Sequence, residues 1–244
     1  MGQLYEITPF SLLDYPGEMS CIAWFAGCNM RCVFCHNPQI VTGKGDKQES
    51  DLLDFLKKRQ GLLTAVVFSG GEATLYKGLP DLMAKVKELG FKVKLDTNGT
   101  RPQVLKELLE RDLLDYVAMD YKCPREIAQE LIGTVKHWEP FKESLSLMIE
   151  AAASKPEMTF EVRTTVYAER MNEKELNWII NDLDQLGYKG TYYIQNVFSH
   201  GEHTIGNIPE SEHSVDLSKL KAPKGFKLGY RNFNDEGPEI GSGS

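Results

Sequence analysis

Apolar residues recur along this chain with two periods that take turns. Short runs that are apolar throughout, or at every second position, cover 20–25, 65–69, 92–96, 116–120, 159–166 and 191–197. Between them, 51–59, 79–89, 102–111, 142–153 and 173–186 carry apolar residues three and four apart. The first pattern predicts strands and the second amphipathic helices, because a strand repeats its faces every two residues and a helix about every 3.6. Gly90 and Gly187 stand directly after Leu89 and Leu186 and stop two of the helices. Strands alternating with helices predict a parallel sheet covered by helices. Six such units are two short of a closed eightfold barrel, so the expected fold is α/β, an open partial (β/α)6 barrel. The barrel is expected over 1–198. The stretch 199–240, polar and rich in Gly, Pro and Lys, reads as a surface segment of the same domain, and 241–244 as a cloning remnant. No internal repeat or interdomain linker is visible.

The composition supports a buried core: of 244 residues, 41% are hydrophobic and 10% aromatic. No apolar run approaches a membrane span, and the N-terminus lacks the basic-then-apolar order of a signal peptide. A cytoplasmic protein with no membrane partner is expected. The net charge of −7 argues against nucleic acid as the main partner. In such a chain five cysteines point to metal or redox chemistry more than to disulfides.

Three of those cysteines, Cys28, Cys32 and Cys35, share one loop, GCNMRCVFCHNP. Three thiolates at C-x3-C-x2-C spacing can hold three irons of a 4Fe–4S cubane and leave the fourth iron without a protein ligand. The plain alternative is a structural zinc site. Such sites usually pair C-x2-C units with a fourth ligand, and His36, directly beside Cys35, is badly placed to supply it. Only Cys21 and Cys123 remain outside the loop, too few for a second cubane, so one cluster is expected.

The other unusual motifs also fall at predicted strand ends, where parallel α/β barrels gather their reactive groups. Ser69-Gly70-Gly71-Glu72 follows the second strand; its glycines would let backbone approach a ligand closely, or merely form a turn. Asp96-Thr97-Asn98-Gly99 ends the third strand and contains a common turn pair. Asp96 and Asp120 would end neighbouring strands, and two such carboxylates repel unless a cation or proton intervenes. Lys122, two residues past Asp120, could meet a ligand carboxylate or form a surface ion pair. Arg163, within a strand, faces either a ligand in the barrel or a covering helix. Phe34 could stack on an adenine or pack in the core. His200 and His203 follow the last strand and read as surface residues, with His200 a weak site candidate.

Taken together and in this order, the motifs resemble those of radical S-adenosylmethionine (SAM) enzymes, and among them the activating enzymes of glycyl radical enzymes. The segment SLLDYPGEMSCIAWFAGCNMRCVFCHNP, with its Asp14-Tyr15-Pro16-Gly17 lead-in, is most similar to the activating protein of anaerobic, class III ribonucleoside-triphosphate reductase. Pyruvate formate-lyase activase is a slightly more distant likeness. The resemblance implies a partial barrel of the radical SAM type that binds one 4Fe–4S cluster and SAM. It implies that SAM is reductively cleaved and that a glycine Cα hydrogen is removed from a partner protein, with a flavodoxin or ferredoxin-type electron donor. Carried over residue by residue, it makes Cys28, Cys32 and Cys35 cluster ligands. Gly70, Gly71 and Glu72 would line the methionine end of SAM. Thr97, Asp120, Lys122 and Arg163 would help hold it, and Phe34, His36 and Thr165 would lie near the adenine. Asn196 and His200 compete for a contact after the last strand. The resemblance also suggests a monovalent cation on Asp96, Thr97, Asp120 and the Ala118 carbonyl.

The short, cysteine-free stretch between Cys35 and Gly70 leaves no room for the ferredoxin-like insertion that some activases carry. Two other functions stay open at this level. One is a small-molecule radical SAM enzyme such as 7-carboxy-7-deazaguanine synthase, whose substrate would need a closing lid that this chain does not obviously offer. The other is a zinc-binding interaction module.

Overall fold

A computed structural model describes residues 3–197, 204–209 and 211–233. Its strands are β1 (Gln3–Ser11), β2 (Ser20–Ala26), β3 (Ala65–Gly70), β4 (Lys92–Thr97), β5 (Tyr116–Asp120), β6 (Thr159–Val166), β7 (Thr191–Asn196) and β8 (Lys227–Arg231). They form one sheet in sequence order, with β1 antiparallel to β2 and every later neighbour parallel. Among the described residues the sheet stays open, with β1 and β8 at its edges. The six predicted strands are all present, β2 through β7, and the α/β partial-barrel reading holds.

The helices are α1 (Pro38–Thr42), α2 (Glu49–Lys57), α3 (Leu79–Glu88), α4 (Pro102–Glu110), α5 (Arg125–Ile132), α6 (Trp138–Ser154) and α7 (Glu173–Gln185). Local chemistry explains several starts. A reciprocal capping box of Gln48 with Asp51 opens α2, and one of Asn172 with Glu175 opens α7. Leu82, Met83 and Val86 of α3, Leu105 and Leu108 of α4, Leu145 of α6 and Ile179 of α7 are fully buried in one apolar cluster. In the sheet they meet Val66, Phe68, Leu95, Val117, Met119 and Val162, also fully buried. Each such side chain contributes roughly 1.5–3 kcal/mol by leaving water.

Several features depart from the sequence reading. The edge strands β1 and β8 were not anticipated, since Gln3–Ser11 alternates only loosely and Lys227–Arg231 is five residues long with a central glycine. Nor does 199–240 read correctly as a surface wrap throughout. Thr204, Ile208, Val215 and Phe226 are buried, and β8 extends the sheet beside β7. Phe226 packs on Tyr188 and Tyr192 with ring centroids 5.4 and 6.4 Å apart. Helix α6 begins at Trp138, four residues before the predicted start, because Trp138 and Phe141 close on Tyr121 at 6.1 and 4.7 Å. The short α1 and α5 were unforeseen as well; α5 proves important for the cysteine loop. Among the described residues no helix is long and apolar enough to cross a membrane.

Candidate active site at the strand ends

The loop after β2 is fixed from three sides. Gly27 N–H donates to the Ile40 carbonyl of α1 at 2.8 Å. Arg31 and Val33 N–H groups donate to the carbonyls of Ile132 and Leu131 at the end of α5, both at 3.0 Å. From the C-terminal segment, Ile205 N–H donates to the Cys35 carbonyl at 3.1 Å and Gly206 N–H to the Val33 carbonyl at 2.9 Å. The segment read as surface therefore clamps the third cysteine.

Cys28, Cys32 and Cys35 all line one cleft at the C-terminal ends of the strands. Phe34, His36, Gly70, Gly71, Lys122 and Thr165 line it with them, as does Asp120. The cleft also takes in Met30, Asn37, Val41 and Asn98, which sequence reasoning did not single out. Only Asn98 carried a usable signal, its place in the Asp-Thr-Asn-Gly turn at a strand end.

The two glycines are required by packing. A Cβ on Gly71 would collide with the Gly27 carbonyl and the Cys28 side chain, and one on Gly70 with the Phe25 backbone. Gly70 also has φ +126°, closed to ordinary side chains. Gly71 and Glu72 N–H groups donate to the Phe25 and Gly27 carbonyls, both at 2.9 Å, so the end of β3 is sewn to the cysteine loop.

Glu72 and Thr97 are not among the residues that line the cleft. The Glu72 carboxylate, 1% exposed, accepts from Thr74 N–H, Thr74 Oγ1, Thr97 Oγ1 at 2.8 Å and Asn98 N–H at 2.6 Å. Burial pushes its carboxyl up against the pull of these four donors. Its role is to lock the ends of β3 and β4 together. Thr97 spends its hydroxyl on Glu72 and accepts from Gly99 N–H at 3.1 Å.

Below the cleft, the inner face of the sheet holds a ladder of ions. Arg163 reaches Asp120 at 3.0 Å and Asp96 at 3.6 Å. Lys94 pairs with Asp96 at 2.6 Å and Lys122 with Asp120 at 2.9 Å. Ser69 Oγ donates to the other Asp96 oxygen at 3.0 Å. Burial alone would raise both carboxyls, but Lys94 and Arg163 hold Asp96, and Arg163 and Lys122 hold Asp120, below the usual carboxylate range. Burial likewise opposes the Lys122 ammonium, and Asp120 outweighs it. Of the residues expected to hold a monovalent cation, Asp96 and Asp120 pair with Lys94, Arg163 and Lys122, the Thr97 hydroxyl donates to Glu72, and Ala118 lies in register with Asp96.

Arg163 thus faces inward, as one reading allowed, but its partners are protein carboxylates. Phe34 is buried, with the Lys122 ammonium 5.8 Å from its ring centroid. Thr165 accepts from Gln195 Nε2 at 2.9 Å. Asn196 ends β7, while His200 and His203 lie outside the described residues.

The donor set fits a cluster. Three thiols converge on one cleft, yet among the described residues no three His, Cys, Asp or Glu side chains close on a single ion. Burial pushes the Cys32 thiol up to about 12, and Cys28 upward too. Such thiols give up their protons to metal rather than to solvent, so loading should release protons. Cys21 and Cys123 are buried as well, but neither lines the cleft; Cys21 sits on the helix-covered face of β2.

Comparison with known proteins agrees with the geometry. The Radical SAM superfamily model matches residues 22–178. The "Putative glycyl-radical enzyme activating enzyme MJ1227" of Methanocaldococcus jannaschii is 35% identical over 230 residues, 91% of this chain and 87% of that one. The pyruvate formate-lyase 1-activating enzyme of Escherichia coli K12 is 33% identical over 148 residues, 56% of this chain and 59% of that one. Among solved structures, Streptococcus suis SuiB bound to S-adenosylmethionine superposes with a TM-score of 0.61 at 13% identity, over 84% of this chain and 48% of that chain. This likeness is one of fold.

Proposed function

The chain belongs to the radical SAM superfamily, whose enzymes use a 4Fe–4S cluster and SAM, and from that premise we propose that it is an activase of a glycyl radical enzyme. The carrying observation is that likeness to an activase-named relative runs through 91% of the chain, well past the cysteine loop that all radical SAM enzymes share. The partner we propose is anaerobic ribonucleoside-triphosphate reductase, on the strength of the Asp14-Tyr15-Pro16-Gly17 lead-in and the segment that follows it. The electron donor we propose is a flavodoxin or ferredoxin.

Cys28, Cys32 and Cys35 would hold the cluster. The cluster, reduced by the electron donor, would supply the electron for cleaving SAM, and SAM would supply the group that takes hydrogen from glycine. The chain's residues bind and orient. Lys122 presents a positive charge to the cleft and offers a SAM carboxylate a partner, while Asp120 holds that ammonium in place. The backbone at Gly70 and Gly71 lies on the cleft, where its carbonyls would accept from an ammonium group. Phe34 and Thr165 give the cleft an apolar wall and a hydroxyl on the side we assign to adenine. The cleft opens at the strand ends with no added domain over it among the described residues, which suits a glycine-bearing loop inserted from another protein.

The test is electron paramagnetic resonance on anaerobic mixtures of this protein, SAM, reductant and the reductase. A doublet that collapses on Cα deuteration of the target glycine is expected. Robust SAM cleavage with no protein radical on any glycyl radical enzyme of the source organism would overturn the reading in favour of a small-molecule substrate.

A further inference from the structure

One side chain of the cleft has its orientation fixed by groups that cannot reverse roles. Asn98 opens the turn between β4 and α4 and is 4% exposed. Its Oδ1 accepts from Thr100 N–H at 3.2 Å and from Thr100 Oγ1 at 2.7 Å. A backbone N–H can only donate, so this edge of the amide must be the oxygen. The Nδ2 edge therefore faces the other way, to Asn29 Oδ1 at 2.9 Å and to Cys28 Sγ at 3.9 Å. Asn29 closes the ring, since its Nδ2 donates to Thr100 Oγ1 at 2.7 Å. Glu72 anchors the whole turn by accepting from Asn98 N–H at 2.6 Å.

Cys28 Sγ also accepts from Met30 N–H at 3.4 Å. Two N–H donors thus point at this sulfur. No hydrogen bond to the Cys32 or Cys35 sulfur is found among the described residues, so the loop treats its three thiols unequally.

We propose that Asn98 is a positioning residue that aims an N–H at the Cys28 sulfur and makes the bound cluster easier to reduce. The inference rests on the reading of Cys28, Cys32 and Cys35 as cluster ligands. The physics is electrostatic: one added electron spreads partly onto the ligand sulfurs, and a preset N–H dipole favours the more negative state. Hydrogen bonds to sulfur are among the determinants of cluster potential, and outer-shell partners tune metal sites generally. Cys28 is the cysteine whose sulfur meets Asn98, at the end of β4, and it lines the cleft.

The experiment is an anaerobic redox titration of the reconstituted full-length protein, with and without SAM, beside iron analysis. Asn98→Asp keeps both acceptor contacts to Thr100 but replaces the donor by an acceptor. Asn98→Ala removes the donor without adding charge. The Asp variant should favour the oxidised cluster by about tenfold, a fall of about 59 mV for a one-electron couple, and the Ala variant by less. Both should hold wild-type iron. Potentials within twofold of wild type in equilibrium constant, at full iron loading, would overturn the inference, as would loss of the cluster in both variants, which would make Asn98 structural. Failure of the wild type itself to take up a cluster would instead defeat the ligand assignment beneath it.

Discussion

On its outer face the sheet presents Val66, Phe68, Val93, Leu95, Val117, Met119 and Val162, every one fully buried under helices. On its inner face the residues between them are Val67, Ser69, Lys94, Asp96, Ala118, Asp120, Glu161 and Arg163. The two faces alternate along the same strands, so propensity cannot distinguish them. Their difference lies in what holds them. The outer face is held by apolar burial, which needs no particular partner. The inner face has a small apolar cluster that includes Val67, Ala118 and Tyr116, and its charged residues are held by specific pairs: Lys94–Asp96–Arg163–Asp120–Lys122 toward the cleft, and Glu161 with Tyr116 at 2.6 Å and Arg231 at 3.1 Å further down. A buried ion pair adds little net stability, because desolvation offsets attraction. The inner face thus contributes less to folding than to a preset charge pattern beneath a ligand cleft.

Four measurements would break or sharpen that contrast. The largest effect is expected at the rim. Cys32→Ala should abolish cluster loading, whereas Cys21→Ala, on the outer face, should keep about four irons per chain. Full iron in the Cys32 variant would end the ligand assignment.

Next in size is the outer face itself. Leu95→Ala should lose about 3–4 kcal/mol of stability in denaturant titration, as a cavity in a closed core does. Thr165→Ala on the inner face should lose less than about 1 kcal/mol yet weaken SAM binding. Equal stability losses would show that the two faces are not built differently.

Arg163→Met removes the cation between two carboxylates. A loss of about 2–3 kcal/mol is expected, since charges left unpaired are costly. Potassium should restore part of it relative to tetramethylammonium at equal ionic strength, because the pocket then lacks its internal cation. If the variant were indifferent to the cation, Asp96 and Asp120 would be too far apart, or too well served by the lysines, to need one.

The smallest effect is in acid. Asp96 and Asp120 have folded pKa values below the unfolded carboxylate value of about 3.9, for the reasons given above. Their contribution is present above that value and is lost as pH falls through the folded values. Stability should therefore fall on acidification below about pH 4, and the fall should be shallower in an Asp96→Asn protein. An unchanged acid limb would deny the pair a part in it.

The sequence by itself determined the order of β2 through β7 and of the covering helices α2, α3, α4, α6 and α7, because these carry clean periods of two and of about 3.6. It also singled out the cysteine loop, because Cys28, Cys32 and Cys35 are close enough in the chain to act together whatever the rest does, and the three line one cleft. Gly70, Gly71 and Lys122, singled out for their places at strand ends, and Thr165, named through the resemblance, all line one cleft. What only the tertiary structure decided depends on partners far apart in sequence. The edge strands take their shape from the sheet they join. The clamp of Ile205 on Cys35 links residues that no local pattern connects. Glu72 accepts from Thr97 and Asn98, and Arg163 pairs with both Asp96 and Asp120. In each case a buried polar group must be satisfied by whichever donor or charge the fold brings nearest, and that neighbour is set by strand register, not by composition.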